Sequence, residues 1–277
     1  MDLYVNRYRQ ADGAKWRGRL LKGAAALGAA VLLFGGALYA TRNTPGIPIL
    51  EYHKVNDRDK DIYTVTPAEL AEQLDYLKAE GYETISLLDF LRAKKGKQQL
   101  PPKPVVLTFD DGYADNYEIL LPMLEQRGMK ATVFMVTNDI GLKGYLTWEQ
   151  LKDMEGRGIE IGSHTCNHLP LTEMSSEMAR DELQKSKLIM EWRKLKTIFV
   201  FSYPNGKYSD ELCRTLKQEE YLAAVTGEPG LNDFRTDPYL LQRTNILPST
   251  FGLWEFRFRL AKSKLYAALG LWQNRSK

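Results

Sequence analysis

Residues 104–112 read Pro-Val-Val-Leu-Thr-Phe-Asp-Asp-Gly, an apolar run that ends in two adjacent carboxylates. A short apolar run of this kind, closed by a turn pair such as Asp-Gly, is typical of a buried strand. Three other segments, which begin at Ile49, Ile159 and Phe199, repeat this layout and also end in polar residues. The repetition predicts several buried strands that carry their polar residues at the same end.

Strand-like and helix-like segments alternate along the chain from residue 47 onward. The predicted strands are Ile47–Tyr52, Glu83–Ser86, Val105–Phe109, Ala131–Val136, Ile159–Ser163, Ile198–Tyr203, Leu222–Thr226 and Leu240–Leu247. The predicted helices are Pro67–Glu80, Leu87–Lys95, Ala114–Arg127, Thr147–Arg157, Ser175–Leu195 and Ser209–Glu219. Strands that alternate with helices predict an α/β fold of parallel βα units. Seven or eight such units in one domain favour a (β/α)7–8 barrel over an open sheet.

Charge is unevenly distributed along the 277 residues. Residues 1–22 contain six Lys or Arg and two Asp, a net charge of +4. The whole chain carries +3, so residues 23–277 sum to −1. Binding to nucleic acid depends on cationic side chains that neutralise phosphates. The nearly neutral body therefore predicts no nucleic-acid partner.

Residues 23–40 are predicted to form a transmembrane signal anchor. Residues 24–40 contain no charged residue, and with Leu20 and Leu21 the apolar stretch approaches the ~20 residues that span a bilayer. The basic residues 1–22 predict a cytoplasmic head and an exported body. Residues 41–48 then form a linker and residues 49–277 one barrel domain, which predicts a single-pass protein of the cell membrane. A cleaved signal peptide, which would give a secreted protein, and a buried helix of a soluble protein are the alternatives.

Polar residues at the predicted strand ends indicate a metal site. The chain has three histidines, and all of them lie at or just beyond the carboxyl ends of predicted strands. In a parallel barrel these ends share the face on which active sites are built. One carboxylate of the Asp110–Asp111 pair, together with His164 and His168, gives a three-ligand set that leaves a metal position open for water. The other carboxylate could act as a general base, so the pattern predicts metal-assisted hydrolysis.

Two motifs carry a resemblance to a known family. Thr108-Phe109-Asp110-Asp111-Gly112, followed by His164-Thr165-Cys166-Asn167-His168, resembles the polysaccharide deacetylases, the NodB-homology or carbohydrate esterase 4 group. The resemblance extends over about residues 47–250. It implies a deformed (β/α) barrel that removes N-acetyl groups from an N-acetylglucosamine polymer of the cell surface. It also implies a divalent metal, often zinc, with Co²⁺, Ni²⁺ or Mn²⁺ as alternatives.

The resemblance assigns roles to the polar residues. Asp111, His164 and His168 are the implied metal ligands, and Asp110 is the implied general base. No histidine follows His168, where much of the family has its general acid. His53 follows Tyr52 as in the poly-N-acetylglucosamine deacetylase subgroup, and it is the expected acid. For Asp110 a second ligand or a turn-capping role is the alternative, and for His53 a structural one.

The third family motif, Arg-x-Pro-x-Gly, is altered in this chain. Ser202-Tyr203-Pro204-Asn205-Gly206 keeps the proline and the glycine but has serine in place of arginine. We expect Tyr203 and Pro204 to border the site, with the Tyr203 N–H stabilising the oxyanion. We expect Arg243 to supply the missing charge and to hold Asp110 ionised, with a surface arginine as the alternative.

Two further features leave alternatives open. Cys166 and Cys213 are expected to be unpaired, with a disulfide as the alternative, and Cys166 is not expected to bind metal. The carboxyl-terminal segment is expected to pack an apolar helical stripe on the barrel, with a membrane surface as the alternative partner. That stripe consists of Phe251, Trp254, Phe258, Leu265, Leu269 and Trp272.

Two other functions remain open beside deacetylation of a surface polymer. One is deacetylation of N-acetylglucosamine in peptidoglycan, which is the same chemistry on another polymer. The other is a catalytically weak, carbohydrate-binding barrel. The complete set of Asp110, Asp111, His164 and His168 disfavours the second, because a binding module has no need of a general base beside an open metal position.

Overall fold

The computed structural model describes residues 43–271 and, further toward the amino terminus, residues 22, 24, 28, 32, 33, 35–37 and 39–41. Internal contacts divide the chain into two compact units, residues 1–43 and 44–277. Half of the predicted anchor at residues 23–40, and all of the basic head except residue 22, lie outside the described residues. Within the described part, no helix combines the length and the apolar character needed to cross a membrane.

The second unit contains a curved sheet of eight parallel strands in the order β10-β1-β5-β6-β7-β8-β9, with β4 paired to β5. Each of these strands falls within a predicted one, except that β5 starts one residue earlier. The strands are β1 Ile49–Tyr52, β4 Glu83–Thr84, β5 Pro104–Phe109, β6 Thr132–Met135, β7 Glu160–Ser163, β8 Val200–Ser202, β9 Ala223–Val225 and β10 Thr244–Asn245. Two short strands that were not predicted, β2 Lys54–Val55 and β3 Thr64–Val65, form a separate parallel pair.

Residues 241–245 bring the two edges of the curved sheet together. Leu241 forms a parallel bridge to Val225 of β9, and Thr244 pairs with Leu50 of β1. The fold is therefore a partial barrel of parallel βα units, and the predicted α/β class is confirmed.

The described part of the second unit has seven α-helices, of which six lie between strands and the seventh follows β10. They are α1 Pro67–Ala79, α2 Leu87–Lys94, α3 Leu121–Arg127, α4 Trp148–Gly156, α5 Ser176–Trp192, α6 Asp210–Gln218 and α7 Leu253–Ala268. Capping boxes at Thr66, Ser86 and Thr147 start α1, α2 and α4. The predicted helix at 114–127 instead begins with a π-helical turn, Asn116–Leu120. Pro122 has no N–H to bond to the carbonyl four residues earlier, which favours this change of register.

Alternation along the strands divides the core into an outer and an inner layer. Leu50, Leu107 and Phe201 point outward and pack in the cluster that includes the helices. Ile49 and Val106 point into the barrel and pack with residues of α2. On β1, β5 and β8 the inward positions nearer the carboxyl end are polar, and His164 follows directly after β7.

Helix α7 contradicts the predicted carboxyl-terminal stripe. Its buried residues are Phe256, Leu260 and Ser263, whereas Phe251 and Trp254 are 75% and 67% exposed. Two contacts orient the helix this way. The Phe256 ring meets Tyr76 of α1 edge-on, and Ser263 Oγ lies 2.7 Å from Thr244 Oγ1 of β10. Trp272, the last residue of the predicted stripe, lies outside the described residues.

Candidate metal centre and catalytic site

A cavity of about 580 Å³ opens at the carboxyl ends of the strands. Almost every site residue expected from the sequence lines it, and Pro204 alone of that set does not. The lining includes Glu51, His53, Tyr63, Asp110, Asp111, Tyr113, Asp139, Tyr145, His164, His168, Tyr203 and Arg243. The shared strand edge therefore brings the predicted residues into one place, as expected for a parallel sheet.

Asp111, His164 and His168 form a compact set of ligand-type atoms. Asp111 Oδ1 lies 3.5 Å from the Nε2 atom of each histidine. The same oxygen is buried and has no hydrogen-bond partner in the described part of the chain. His164 Nδ1 lies 2.7 Å from the carbonyl oxygen of Ser202. Because a carbonyl only accepts, this nitrogen carries the proton and the Nε2 lone pair faces Asp111.

These separations fit a metal ion. Two ligands of a tetrahedral zinc ion, each about 2.1 Å from the metal, are about 3.4 Å apart. An orphaned carboxylate oxygen at 3.5 Å from two imidazole nitrogens is therefore the donor set that a divalent cation would satisfy. The bond from His164 to a backbone carbonyl is the outer contact that usually fixes a metal-binding histidine.

The backbone around this set is strained. Asp111, Thr165, His168 and Asn205 have φ between 53° and 71°, a region that side-chain-bearing residues seldom adopt. Gly112 follows with φ 75°, and a Cβ there would lie 1.9 Å from the sulfur of Met135. The left-handed turns direct the side chains of Asp111 and His168 into the cavity. The glycine of the Asp-Asp-Gly motif is therefore required by both conformation and space.

Asp110 is held by two donors that replace the arginine of the third family motif. Arg243 Nη1 donates to Asp110 Oδ1 at 2.8 Å, and Ser202 Oγ donates to Oδ2 at 3.0 Å. Arg243 Nη2 in turn donates to Ser202 Oγ at 3.2 Å. Ser202 thus stands in the altered motif position and links Arg243, from the segment that joins the sheet edges, to the aspartate.

These contacts decide the ionisation of Asp110. Burial alone raises the pKa of this carboxyl group, because an ionised form loses its hydration. The positive charge of Arg243, its hydrogen bond and the nearby His164 outweigh burial and hold the pKa well below the ordinary value of an aspartate. Asp110 is therefore an ionised carboxylate over the physiological pH range.

Arg243 is a buried residue rather than a surface one, with 2% of its area exposed. Besides Asp110 and Ser202, it donates from Nε to Thr226 O at 3.0 Å and from Nη1 to Thr108 Oγ1 at 3.3 Å. Arg243 also lines the cavity, but the hydrogen bonds of its guanidinium go to Asp110, Ser202, Thr108 and Thr226. We therefore describe it as a positioning residue, which narrows the catalytic role expected from the sequence.

Glu51, His53 and Asp110 form a second group with ligand-type atoms within 4.8 Å of one another. Arg243 Nε lies 3.4 Å from Glu51 Oε2 and also pairs with Asp110, so a cation already neutralises both carboxylates. A divalent ion would have to compete with this guanidinium, and the Asp111 set is the better metal site. The pKa of Glu51 is raised by burial, an effect that Arg243 partly offsets.

Sequence analysis missed Glu51. The signal was available, since a charged residue in the apolar run Ile49–Tyr52 shares the inward face with His53 two positions later. An acidic residue at such a position would be costly without a buried cation, so Glu51 also predicts a partner such as Arg243.

His53 lies at the cavity wall after β1. Its backbone carbonyl accepts a hydrogen bond from Asn116 Nδ2 at 3.1 Å, and its ring centroid lies 4.8 Å from that of Tyr63. Its Nδ1 atom is buried with no partner in the described residues. The structure thus brings His53 to the predicted site, and its Nδ1 atom remains free to bind a substrate group.

The expected oxyanion donor is not available. The Tyr203 N–H donates to Val225 O at 3.2 Å, because β8 and β9 continue their pairing past Ser202. The Tyr203 hydroxyl donates to Tyr239 O at 3.1 Å. Pro204 is buried at the start of a short 3₁₀ turn, Pro204–Gly206, and supports the cavity wall from outside. This sequence-based expectation for the Tyr203 N–H is therefore corrected.

The two cysteines are unpaired, as expected. Cys166 Sγ contacts Glu182 O, and Cys213 Sγ lies 3.4 Å from the Tyr203 hydroxyl oxygen. Neither belongs to the groups of ligand-type atoms described above.

A curved parallel sheet with an Asp-Asp pair and two histidines at its carboxyl edge defines a hydrolase site of the deacetylase type. Residues 97–224 match the sequence profile described as polysaccharide deacetylase. The Bacillus subtilis protein YxkH, whose name places it in the same family, is 33% identical over 212 residues, which are 76% of this chain and 75% of the relative. The chain belongs to the polysaccharide deacetylase family, hydrolases that act on N-acetyl amide bonds, and the resemblance seen in its motifs is confirmed.

Two further comparisons agree with this assignment. The poly-β-1,6-N-acetyl-D-glucosamine N-deacetylase of Staphylococcus epidermidis is 27% identical over 197 residues, 61% of this chain and 68% of the relative. The solved structure of the Streptococcus pyogenes deacetylase PplD in complex with acetate superposes with a TM-score of 0.72 at 27% identity, covering 80% of this chain and 99% of that one.

Proposed function

We propose that this protein removes N-acetyl groups from an N-acetylglucosamine polymer by metal-dependent hydrolysis and releases acetate. One observation carries the proposal. The orphaned Asp111 Oδ1 lies at equal distance from two imidazole Nε2 atoms, and the ionised Asp110 is its neighbour in the chain. Asp111, His164 and His168 would hold the ion, which leaves Asp110 free for proton transfer.

Asp110 would serve as the general base. A divalent ion bound at the site supplies Lewis acidity for the acetamido carbonyl and lowers the pKa of a nearby water toward ~7. Such help matters here because a carboxylate with a depressed pKa is a weak base toward ordinary water. Arg243 and Ser202 fix the orientation of Asp110, while its Oδ2 atom keeps a lone pair that can accept the proton of the attacking water.

His53 would serve as the general acid. The amine of an amide is a poor leaving group unless its nitrogen is protonated as the C–N bond breaks. His53 lines the same cavity as Asp110 and Asp111, on the neighbouring strand of the sheet. One ring nitrogen of His53 lies within 4.8 Å of carboxylate oxygens of Glu51 and Asp110.

The polymer that best fits is poly-N-acetylglucosamine. The relative from Staphylococcus epidermidis bears that substrate in its name, and the early position of His53 matches the same subgroup. Peptidoglycan is the competing substrate. We further propose that residues 23–40 anchor the protein in the cell membrane and that the barrel lies on the extracytoplasmic side, because the basic residues precede the apolar run.

The test is acetate release from both polymers by the full-length protein, first treated with a chelator and then reloaded with Zn²⁺, Co²⁺, Ni²⁺ or Mn²⁺. We expect release from poly-N-acetylglucosamine only after reloading. The variant Asp111→Asn should lose both bound metal and activity. Asp233→Asn, which alters an exposed ion pair with Arg235 outside the cavity, should keep both. If the metal-loaded protein releases no acetate from any acetylated glycan, the proposal fails.

The membrane assignment has its own test. Full-length protein should resist extraction from membranes at alkaline pH, and a double variant with Leu32→Arg and Leu33→Arg should be extracted, because charge within an apolar span is costly. Amino-terminal sequencing of the mature protein distinguishes an anchor from a cleaved signal. Extraction of the unaltered chain, with its amino terminus intact, would contradict the anchor.

A further inference from the structure

The two histidines of the candidate metal set are held in different ways. His164 follows β7, is 2% exposed, and its ring is fixed by the Ser202 carbonyl. The side chain of His168 is 38% exposed, and among the described residues its ring has no carbonyl partner of this kind. The place of His168 is therefore set by the backbone of the loop that carries it.

That loop, residues 164–168, has a strained backbone at both ends of its turn. Thr165 has φ 69° and His168 has φ 53°, a region that residues with a side chain seldom adopt. The His168 N–H donates to Thr165 Oγ1 at 3.0 Å and closes the turn. Backbone of this kind persists only where neighbouring groups hold it, so the loop needs support from another element.

Glu182 of α5 supplies this support. Its Oε2 atom accepts hydrogen bonds from the Cys166 N–H at 2.9 Å and from the Asn167 N–H at 3.0 Å. Its Oε1 atom accepts from Asn167 Nδ2. Cys166 and Asn167 are the two residues between Thr165 and His168. One carboxylate thus holds both N–H groups in the interior of the turn.

The helix that carries Glu182 is itself attached to the base of the loop. Ser186 lies one turn later on α5, and its Oγ atom is 2.7 Å from both Ser163 Oγ and Thr137 Oγ1. The Thr137 N–H in turn donates to Thr165 O at 3.0 Å. Residues four positions apart lie on the same face of a helix. The bonds of Ser186 therefore fix the face from which Glu182 reaches the loop.

We propose, as an extension that rests on the proposed function, that Glu182 is a positioning residue of the metal centre. Its carboxylate holds the turn so that His168 Nε2 lies beside Asp111 Oδ1 before an ion binds. Ligands that are already in place lose less conformational freedom on binding, so Glu182 raises the affinity for the ion. Glu182 belongs to neither group of ligand-type atoms found in the described residues, and it acts on the ion only through His168.

The experiment measures the dissociation constant for Zn²⁺ of the full-length protein without substrate, after chelator treatment, by competition with a coloured chelator. Glu182→Ala should weaken Zn²⁺ binding by about 10- to 100-fold, the range found when a side chain that orients a metal ligand is removed. At saturating Zn²⁺, kcat should stay within about threefold of the wild type, because Glu182 touches no reacting group. Urea unfolding of the metal-free proteins confirms that each variant is folded.

Two conservative variants separate hydrogen bonding from charge. Both backbone bonds end on one carboxylate oxygen, so the amide oxygen of Glu182→Gln can accept them, and Zn²⁺ affinity should stay within about threefold. Glu182→Asp keeps the charge but is one methylene shorter, which withdraws the carboxylate from the loop, so affinity should fall as in Glu182→Ala. Asp181→Ala is the matched control, since it removes from the same helix a carboxylate that forms an exposed ion pair with Lys185, and it should leave the affinity unchanged.

The opposite order, in which Glu182→Gln weakens Zn²⁺ binding and Glu182→Asp does not, would show an effect of charge and overturn the positioning role. Wild-type dissociation constants in Glu182→Ala and Glu182→Asp would overturn it as well. Either result leaves the proposed function intact, because the wild type still binds Zn²⁺ and releases acetate. A wild type that binds no divalent ion would overturn the proposed function together with this inference.

Discussion

Glu160 and Asp110 are inward-facing carboxylates at opposite ends of the same barrel interior. Glu160, at the start of β7, accepts hydrogen bonds from the Leu87 and Leu88 N–H groups at 3.0 Å and from Thr132 Oγ1 at 2.7 Å. It has no cationic partner in the described residues, and burial raises its pKa. Asp110 is more deeply buried, yet its pKa is lowered because Arg243 is in contact with it.

The difference shows how one sheet holds a buried carboxylate with a raised pKa at one end and one with a lowered pKa beside the candidate metal ligands at the other. Glu160 caps the amino terminus of α2, where neutral donors and the helix dipole suffice to satisfy it. Neutral donors did not lower the pKa of that group below its ordinary value. The end that carries Asp110 differs by a buried guanidinium, and it is this cation that keeps Asp110 ionised in a place from which water is largely excluded.

The largest expected effect is on kcat/KM, and it distinguishes Asp110 from Glu160. Asp110→Asn should lower kcat/KM by about 10³-fold, because an amide cannot accept the proton of the attacking water. Glu160→Gln should leave kcat/KM within about twofold, since it touches only the far end of the barrel. Acetate release by both metal-loaded variants, with metal content measured, checks this. Full activity in Asp110→Asn with metal retained would remove Asp110 from the base role.

The second prediction concerns Arg243, the cation that lies beside Asp110 and has no counterpart beside Glu160. Arg243→Met leaves Asp110 and Glu51 buried without their cationic partner and should lower the free energy of unfolding by about 3–5 kcal/mol. Burial then raises the pKa of Asp110, so activity should be lost at a higher pH than in the wild type as the pH falls. Arg243→Lys keeps the charge and should keep the acid limb near its wild-type position.

The acid limb of kcat/KM against pH is the measurement for these two variants. A limb that stays in place in Arg243→Met would show that Arg243 does not set the ionisation of Asp110. The lowered pKa of Asp110 also determines how the stability of the folded protein changes with pH. The Asp110–Arg243 pair stabilises the folded state at pH values above the pKa of an unfolded aspartate, and this contribution is lost as the pH falls through the lower, folded-state pKa.

Most of the fold and the metal set followed from sequence, whereas the contacts around them did not. The eight strands were predictable because apolar runs with polar ends alternate with capped helices. Asp110, Asp111 and the histidines were predictable because their motif spacing is specific. Arg243 was predicted to supply the charge that the third motif lacks and to hold Asp110 ionised, but its bond to Ser202 depends on how two distant segments pack.

Other features depended on tertiary contacts that no local pattern reports. The Tyr203 N–H donates to the Val225 carbonyl of the neighbouring strand β9, a pairing between distant segments. The buried face of α7 is set by Tyr76 and Thr244, which are remote in sequence, rather than by the most apolar helical stripe. Propensity and periodicity give the elements, and packing decides which face each element turns inward.

A third prediction concerns the serine that stands in the altered motif. Ser202→Ala removes the hydrogen bond to Asp110 Oδ2 but leaves Arg243 in contact with Oδ1. The loss of one buried hydrogen bond, about 1 kcal/mol, should reduce kcat/KM about fivefold. Thr226→Val, which removes a buried hydroxyl bonded only to Leu241 O and to Glu228 N, is the matched control. Equal effects of the two changes on kcat/KM would argue against a specific role of Ser202.

The smallest expected effect is on the pH dependence of stability, to which Glu160 contributes at the amino end of the strands. Because the folded-state pKa of Glu160 is raised, its ionisation favours the unfolded state, and its contribution to stability falls as the pH rises from the ordinary pKa of a glutamate through the raised one. Glu160→Gln should flatten this part of the stability profile. Urea unfolding of both proteins between pH 4 and 7 measures the slope, and identical slopes would contradict the assignment.

Residues 241–245 both seal the sheet and deliver Arg243. Leu241 closes against β9 and Thr244 against β1, so the guanidinium arrives only when this late segment docks. Asp110, Asp111, His164 and His168 all precede this segment in the chain, whereas the cation that holds Asp110 ionised belongs to it. The five residues that close the sheet are thus also the source of the charge beside Asp110, so a defect in closing the sheet is at the same time a defect in the electrostatics of the cavity.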